Sequence, residues 1–374
     1  MQYREYGRTG KKVSVIGFGG MRFVPESDKK YDYDKCADIV RKANELGVNY
    51  FDTAPGYCAD NSEQIFGRAF QKMPGQFYVS TKSGEMDGAV LRAQLERSLK
   101  RLGLQKINFY NIWSVKTLAD YKNRMKKGGP YEAAAQAKKE GLIEHLVFST
   151  HCTGEEIELI VKDGVFEGVT VGYNIINFPF RQKGIKAAYA HGMGVVVMNP
   201  LSGGLIPKRS ELFEYLKNPD DATPADAALR FLVSQKEITT NICGMGRMEE
   251  VLINVKAGEK IRDFPESKKL EIQGKLSLGM DKLCTGCQYC EYCPQEIEVS
   301  KHMLAYNQTI LEDKEHYFGQ MKWHWDIPAE QADACTECGI CEEKCTQHIN
   351  IKERLKEISK WVKERKEASG AKTS

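Results

Sequence analysis

The sequence lacks a long apolar run. No stretch of about 18 apolar residues, the minimum for a helix that crosses a membrane, occurs among its 374 residues. Residues 1–6 also show no apolar region of the kind found in secretory signals. From these two absences we expect a cytoplasmic protein that has no membrane partner.

The sequence also has little excess charge of either sign. Its 54 Lys and Arg residues against 51 Asp and Glu residues give a formal net charge of +3. No basic stripe with interleaved aromatic residues stands out, and such a stripe is typical of nucleic-acid binders. We therefore expect no nucleic-acid partner.

Cysteines are concentrated near the C-terminus. Eight of the 12 fall into two runs, Cys284-x2-Cys287-x2-Cys290-x2-Cys293 and Cys335-x2-Cys338-x2-Cys341-x3-Cys345. A C-x2-C-x2-C loop brings three thiolates to one centre, and a 4Fe-4S cluster takes its fourth thiolate from elsewhere in the chain. The two runs therefore resemble those of a ferredoxin with two 4Fe-4S clusters, which favours a reducing compartment over a disulfide framework.

In the bacterial ferredoxin arrangement, each run supplies three ligands to one cluster and one ligand to the other. This assigns Cys284, Cys287, Cys290 and Cys345 to the first cluster, and Cys335, Cys338, Cys341 and Cys293 to the second. The alternative is a pair of structural zinc sites, which usually take cysteines two at a time. Two details depart from the ferredoxin pattern: only two residues separate Cys290 from Cys293, and Thr346 follows Cys345 where proline is usual.

The first 260 residues alternate short β-rich runs with longer stretches of helical spacing. Helix start signals support this reading, such as the capping box Thr153-x-x-Glu156 and the pair Thr223-Pro224. The predicted strands are Val13–Gly17, Asn49–Asp52, Phe77–Thr81, Ile107–Ile112, His145–Ser149, Val169–Tyr173, Gly194–Met198 and Thr240–Cys243. They predict an α/β fold, a (β/α)8 TIM barrel, whose chemistry lies at the C-terminal ends of the strands.

The length of the chain exceeds what one hydrophobic core normally fills. We predict a barrel domain over residues 1–270 and a small ferredoxin-like α+β domain over residues 271–374. Apolar residues at helical spacing over Ile351 to Lys366 predict a C-terminal helix that docks the small domain on the barrel.

Three residues that follow the second and third predicted strands form a candidate catalytic set. These are Asp52, Tyr57 and Lys82. A tyrosine beside a lysine can act as a proton donor: the ammonium lowers the phenol pKa, and the aspartate orients the ammonium. This combination favours the chemistry of carbonyl reduction.

With these residues the chain resembles the aldo-keto reductase superfamily, in its branch with a C-terminal ferredoxin domain. The resemblance rests on Gly17 to Arg22, Asp52 to Tyr57, Thr81-Lys82, Ser149 to His151, Tyr173-Asn174, Asn199 to Gly204 and both cysteine runs. It implies a nicotinamide cofactor across the barrel mouth, with Tyr57 as the acid and hydride delivery to a carbonyl carbon.

The resemblance also implies a set of cofactor contacts. Ser149 and Asn174 are expected near the carboxamide and Tyr173 under the nicotinamide ring. Pro200, Leu201 and Gly203 are expected along the pyrophosphate. The adenosine end is expected at Gly244, Met245, Arg247, Glu250 and Asn254. The form of the cofactor stays open, since Arg247 facing the ribose favours NADPH and Glu250 facing it favours NADH.

One residue departs from the family pattern. Trp113 stands where the family has a histidine that contacts the substrate carbonyl. An indole has one donor and no acceptor, so it can hydrogen-bond an oxygen but cannot relay a proton. A slower reductase, a different substrate shape and a barrel without turnover all stay open.

A hydride carries two electrons, whereas each cluster passes one. Three hypotheses follow. The clusters connect a redox protein partner, or a small carbonyl or other redox-active substrate, to the barrel. Alternatively, the chain is a simple carbonyl reductase with a structural or docking ferredoxin module, or it is a non-catalytic electron-transfer subunit.

Residues 294–334, between the cysteine runs, are rich in aromatics. We expect packing against the clusters or the barrel, with a lid over the active site as the alternative. The aromatic and histidine residues are Tyr306, Tyr317, Phe318, Trp323, His324 and Trp325.

Overall fold

The computed structural model describes residues 1–27, 30–276, 283–284, 288–312 and 328–370. The chain divides into two compact units. The first comprises Met1–Pro200 with Asp226–Pro265, and the second comprises Leu201–Ala225 with Glu266–Ser374. Residues 201–225 thus group with the C-terminal part of the chain, although we had assigned them to the barrel domain.

The strands of the first unit form a hairpin and a closed barrel. They are β1 (Tyr3–Glu5), β2 (Lys12–Ser14), β3 (Ile16–Gly19), β4 (Tyr50–Asp52), β5 (Tyr78–Ser83), β6 (Ile107–Val115), β7 (Ile143–Thr150), β8 (Gly168–Gly172), β9 (Gly194–Met198) and β10 (Thr240–Gly244). The barrel order is β10-β3-β4-β5-β6-β7-β8-β9, and every neighbouring pair is parallel. The predicted (β/α)8 barrel is confirmed.

The first predicted strand, Val13–Gly17, is the least accurate. Its N-terminal part belongs to β2, which pairs antiparallel with β1, and the barrel strand β3 begins only at Ile16. The apolar run continues through both strands, so its hydrophobicity alone does not mark the change of direction. The Asn49 side chain accepts a hydrogen bond from the Ser14 N–H at 2.7 Å, which fixes the end of β2 beside the start of β4.

Helices follow the barrel strands. Their bounds are Tyr33–Glu45, Tyr57–Asp60, Ser62–Phe70, Gly88–Leu102, Leu118–Arg124, Pro130–Lys139, Gly154–Val161, Phe178–Ala190, Pro224–Val233 and Met248–Lys256. The capping box is confirmed, because Thr153 and Glu156 exchange side-chain and backbone hydrogen bonds at the start of Gly154–Val161. The helix predicted after Thr223 begins at Pro224.

A layer of large side chains fills the barrel interior. Tyr6, Tyr50 and Phe109 are fully buried there, and the rings of Tyr6 and Phe109 stack with centroids 4.0 Å apart. Polar side chains take over towards the C-terminal ends of the strands, where Asp52 and Lys82 lie. The side chains that are suited to chemistry therefore lie at that end of the barrel.

The second unit is mainly helical. Its helices are Ser202–Gly204, Leu205–Lys208, Ser210–Leu216, Glu266–Leu276, Val299–Glu312, Ala329–Ala334, Ile340–Glu343 and Ile351–Gly370, of which the first, third and sixth are 3-10 helices. Within the described ranges, no helix has both the length and the apolar character needed to cross a membrane.

The predicted C-terminal helix is confirmed, and it runs to Gly370. Its apolar residues Ile351, Leu355 and Ile358 are buried in the core of the second unit itself, beside the cysteines. The apolar stripe is thus used within the unit, which differs from the barrel-docking role that we predicted. In the aromatic segment, Tyr306 stacks on Trp361 with ring centroids 5.7 Å apart. Tyr317, Phe318, Trp323, His324 and Trp325 lie outside the described residues.

Candidate active site and cluster cavities

A buried ion pair lies at the ends of β4 and β5. The Lys82 Nζ is 2.6 Å from the Asp52 Oδ1, and the two residues are only 3% and 4% exposed. The attraction within a buried ion pair offsets the cost of desolvating both charges only when the remaining carboxylate oxygen is also hydrogen-bonded. Here the Ser80 hydroxyl donates to the second Asp52 oxygen at 2.8 Å, so both carboxylate oxygens are bonded.

A chain of polar side chains continues behind this pair across the barrel. The Asn111 amide donates to the Ser80 Oγ at 3.0 Å and accepts from the Thr170 hydroxyl at 2.8 Å. Sequence reasoning did not identify these residues. The sequence nevertheless contains a signal for them. Ser80 and Lys82 are two positions apart on one strand, so their side chains point to the same face, and Asn111 is the register partner of Lys82 on the next strand.

Tyr57 lies above the ion pair. The Lys82 Nζ is 5.0 Å from the centre of the Tyr57 ring, and the Trp113 ring meets Tyr57 edge to face at 5.7 Å. Trp113 reaches this position because the β6–β7 register shifts between Ile112 and Val115, and Ser114 takes a left-handed φ of 62°. The structure thus brings together all four residues that we predicted to be catalytic.

The pKa of Tyr57 is raised, chiefly by burial and secondly by the negative charge of Asp52, whereas Arg22 acts in the opposite direction. We had expected Lys82 to lower this pKa. In the structure burial and the charge of Asp52 have the larger effects, and the Lys82 Nζ faces the ring of the tyrosine at 5.0 Å. The raised pKa favours the protonated phenol, the form from which a proton donor acts.

The segment after Tyr57 has an unusual backbone. Cys58, Ala59 and Asp60 are consecutive residues in the left-handed region, with φ of 55°, 51° and 69°. Non-glycine residues there cost on the order of 1–3 kcal/mol each and persist only where the surroundings fix them. Arg101 does so with a bidentate ion pair to Asp60 at 2.8 and 2.6 Å. Arg101 was not predicted, since only this turn brings Asp60 within its reach.

The residues predicted at the nicotinamide ring are buried. The Ser149 Oγ accepts from the Ser114 N–H at 2.9 Å and keeps its own proton for donation. The Asn174 amide donates to the Asn199 carbonyl at 3.1 Å. A serine hydroxyl with a proton to donate fits a carboxamide oxygen at this end of the barrel.

Tyr173 does not suit its predicted role. It is fully buried, its hydroxyl donates to the Gln235 Oε1 at 3.0 Å, and its ring stacks on Phe231 at 6.1 Å. Because the residue is fully buried against these partners, its ring has no exposed face for a nicotinamide in this structure. The position just after a strand did not reveal this orientation.

At the predicted adenosine end, the two charged residues that follow β10, Glu250 and Arg247, have different surroundings. The Glu250 carboxylate accepts from the backbone N–H groups of Gly246 and Arg247 at 2.7 and 3.2 Å, capping its own helix. Arg247 is exposed. Gly244 is also exposed, whereas Met245 and Asn254 are buried.

Of the predicted pyrophosphate contacts, Pro200 is the last residue of the first unit before the break at 201. Leu201 and Gly203 belong to the second unit, where Gly203 has a left-handed φ of 66° in a 3-10 turn.

The described cluster cysteines surround two cavities. The first is lined by Cys284, Cys290 and Cys345, and the fourth predicted ligand, Cys287, lies outside the described residues. The second is lined by Cys293, Cys335, Cys338 and Cys341. Cys345 therefore lies with cysteines of the first run and Cys293 with those of the second, and the assignment of ligands to the two clusters stays a prediction.

The donor set of both cavities suits iron–sulfur clusters, because the cysteines that line them can supply thiolates. Among the described residues, no group of three or more Cys, His, Asp or Glu side chains is close enough to hold one metal ion. The zinc alternative therefore gains no support from the geometry, since tetrahedral zinc needs four ligands at about 2.0–2.3 Å. Outer-sphere support is present: Asn307 exchanges two 2.8 Å hydrogen bonds with the backbone of Cys284, and the Ile349 N–H donates to the Cys345 Sγ at 3.4 Å.

Comparison with known families gives two matches along the chain. The aldo/keto reductase family matches residues 15–269, and a 4Fe-4S dicluster domain matches residues 283–350. These ranges correspond to the barrel strands with their helices and to the two cysteine runs.

The curated relatives are distant in sequence, but each match covers most of the relative's length. An uncharacterised oxidoreductase from Schizosaccharomyces pombe is 24% identical over 70% of this chain and 87% of its own. L-galactose dehydrogenase from Arabidopsis thaliana is 25% identical over 69% of this chain and 88% of its own. Among solved structures, the aldo-keto reductase AKR11C1 from Bacillus halodurans has a TM-score of 0.62 at 24% identity, covering 73% of this chain and 96% of that one. This last likeness concerns the fold.

Proposed function

This chain belongs to the aldo/keto reductase family and carries a 4Fe-4S domain, and we propose that its barrel reduces a small carbonyl or other redox-active substrate while its clusters exchange single electrons with a redox partner. The observation that carries the proposal is the position of the Tyr57 ring, 5.0 Å from the Lys82 Nζ of the buried Asp52–Lys82 pair. We place this activity in the cytoplasm, where the clusters and the remaining free thiols stay reduced.

In the proposed reaction, Tyr57 donates its proton to the carbonyl oxygen as negative charge develops there. Asp52 holds the Lys82 ammonium under the ring, so the phenolate that remains lies beside a fixed positive charge. Trp113, edge-on to Tyr57, closes the substrate side and offers one N–H to the oxygen. A bound nicotinamide would supply the hydride.

The cofactor form that the site favours is NADPH. The Glu250 Oε2 accepts from two backbone N–H groups, which holds this carboxylate at the start of its own helix. Arg247 is exposed at the same loop, and a guanidinium suits a 2′-phosphate. We therefore propose that Arg247 binds this phosphate.

The cluster part of the proposal rests on the difference between the two cavities. Cys284 and Cys290 are 7% and 8% exposed, whereas Cys338 is exposed. The cluster held by Cys293, Cys335, Cys338 and Cys341 would therefore be the one that meets a partner. Since nicotinamide passes electrons in pairs, the substrate in the barrel has to tolerate a one-electron state.

A rapid-mixing experiment tests this connection. The clusters of the loaded, anaerobic protein are photoreduced and then mixed with NADP⁺ or with 9,10-phenanthrenequinone, a carbonyl compound that is stable after one-electron reduction. We expect cluster absorbance to return with the quinone and not with NADP⁺ alone, and to return more slowly in Tyr57→Phe than in Tyr189→Phe, a control at an exposed tyrosine.

Equal rates in the two variants would mean that the quinone oxidises the clusters without entering the barrel. A carbonyl reductase with a separate ferredoxin module would then replace the proposal. If in addition NADPH fluorescence showed no binding, the chain would be an electron-transfer subunit.

A further inference from the structure

The loop after β3 carries a cation, Arg22, to the mouth of the barrel. This loop is tied to its neighbour: the Gly20 N–H donates to the Asp52 carbonyl at 2.8 Å, and the Gly20 carbonyl accepts from the Ser62 hydroxyl at 2.8 Å and the Cys58 thiol at 3.3 Å. The backbone that leads to Arg22 is thereby fixed against the segment that holds Tyr57.

On its other side, Arg22 lies on the loop after β10. A Cβ added to Gly244 would stand 2.5 Å from the Arg22 Cγ, and a Cβ added to Gly246 would stand 2.0 Å from the Arg22 carbonyl oxygen. Real Cβ atoms do not approach so closely, so both positions require glycine as long as Arg22 keeps this place. The arginine is thus held between the loops of β4 and β10.

Among the described residues, the charge of Arg22 has no opposite charge beside it. In the parts of the chain that the structure describes, no carboxylate lies within 4.0 Å of its guanidinium. Asp52, the carboxylate of the site, is already bonded to Lys82 and Ser80. Arg22 is half-buried, and its charge is felt at Tyr57, whose pKa it acts to lower.

A half-buried arginine that has no carboxylate partner among the described residues is suited to an anion with two or more oxygens in one plane. We infer that Arg22 is a binding residue for an oxyanion, either a phosphate group of the bound cofactor or a carboxylate or phosphate of the substrate beside its carbonyl. This inference rests on the proposed function, because it takes Tyr57 as the reacting end of the site.

Calorimetric titration of the full-length, cluster-loaded protein tests the inference without turnover. The probes are NADPH, inorganic pyrophosphate, and benzoate added to the NADP⁺-saturated protein. They are compared in wild type, Arg22→Gln and Arg22→Lys. Arg8→Gln is the matched control, since it removes an exposed guanidinium in the turn between β1 and β2, outside the predicted cofactor contacts.

Two results support the inference and identify the source of the anion. A rise of about tenfold to a hundredfold in the Kd of NADPH and of pyrophosphate in Arg22→Gln assigns Arg22 to the cofactor phosphates. The same rise for benzoate alone, with NADPH unchanged, assigns it to the substrate. In both cases Arg22→Lys should lose part of the affinity, because a lysine keeps the charge and loses the planar fork.

Unchanged affinities for all three probes in Arg22→Gln would overturn the inference. Failure of the proposed function looks different: the wild type would then fail to bind NADPH, or Tyr57→Phe would turn over a carbonyl substrate at the wild-type rate. Folding of each variant is checked by its thermal midpoint, and Arg22→Lys provides a second test if Arg22→Gln does not fold.

Discussion

The barrel site and the cluster sites are held together in different ways. In the barrel, the polypeptide itself satisfies the central charges, since both Asp52 oxygens are bonded and Arg101 fixes the turn after Tyr57. In the second unit, cysteines line two cavities beside the unit's own core. The central charges of the barrel site are thus satisfied within the protein, whereas we expect the second unit to depend on clusters that cross-link its core.

Loss of the clusters is expected to have the largest effect. Cys290→Ala, or removal of iron by chelation, should unfold the second unit, since ligand binding in structural metal sites contributes on the order of 10 kcal/mol. Hydrogen exchange should show lost protection over Ile351–Gly370 and retained protection in β4 to β6. Cys243→Ala, at a buried cysteine of β10, is the control. Retained protection in the C-terminal helix would contradict the expectation that clusters hold the second unit together.

The second effect concerns the barrel's own ion pair. Asp52→Ala leaves Lys82 buried without a counter-charge and should lower the free energy of unfolding by about 3–5 kcal/mol. The control is Asp34→Ala, which removes an exposed partner of Arg68 and should cost far less, because solvent screens this surface pair. Both are measured by urea unfolding of the cluster-loaded protein. Equal losses would mean that the buried pair is no more important than a surface pair.

An acid-dependent effect comes next. Burial acts to raise the pKa of Glu167, but hydrogen bonds from His145, Lys138 and the Leu146 N–H outweigh it, so the pKa is lowered to about 2. A lowered carboxyl pKa gives stability that is present above the unfolded pKa of about 4.3 and is lost as the pH falls towards 2.

Glu167→Gln should therefore reduce the free energy of unfolding by about 2 kcal/mol at pH 7 and by little near pH 2. Urea unfolding at the two pH values measures this difference. A loss of the same size at both would show that the carboxylate's charge is not what stabilises the β7–β8 region.

The smallest effect tests our correction at Tyr173. Tyr173→Phe removes one buried hydrogen bond to Gln235 and should cost about 1 kcal/mol of stability, with the Kd of NADPH unchanged. Fluorescence titration with NADPH checks the second part. A tenfold weaker Kd would restore the predicted stacking role.

Much of this architecture could be predicted because it follows from local patterns. Strand and helix periodicities alternate eight times, and that alternation has few solutions other than the barrel. Asp52 and Lys82 directly end or follow β-rich runs, so their meeting followed from the parallel arrangement of the strands. The cysteine spacing likewise anticipated that Cys345 would join the first run and Cys293 the second.

What could not be predicted depends on contacts distant in sequence. Arg101 reaches Asp60 only through the left-handed turn, and no local pattern marks that turn. Tyr173 lies just after a strand, where a side chain can point either into the site or away from it. Its ring stacks on Phe231, a contact that is distant in sequence and that no local pattern indicates. The hairpin before β3 was missed because one apolar run serves two strands.

The most direct test of the account is the turnover of Tyr57→Phe with NADPH and an aromatic aldehyde that the wild type is first shown to reduce. Phenylalanine keeps the ring against Trp113 and removes the proton that we assign to the reaction. The account predicts a fall of about 10²- to 10⁴-fold in kcat with the Kd of NADPH unchanged, and Tyr189→Phe at the wild-type rate. A Tyr57→Phe variant as fast as the wild type would contradict it.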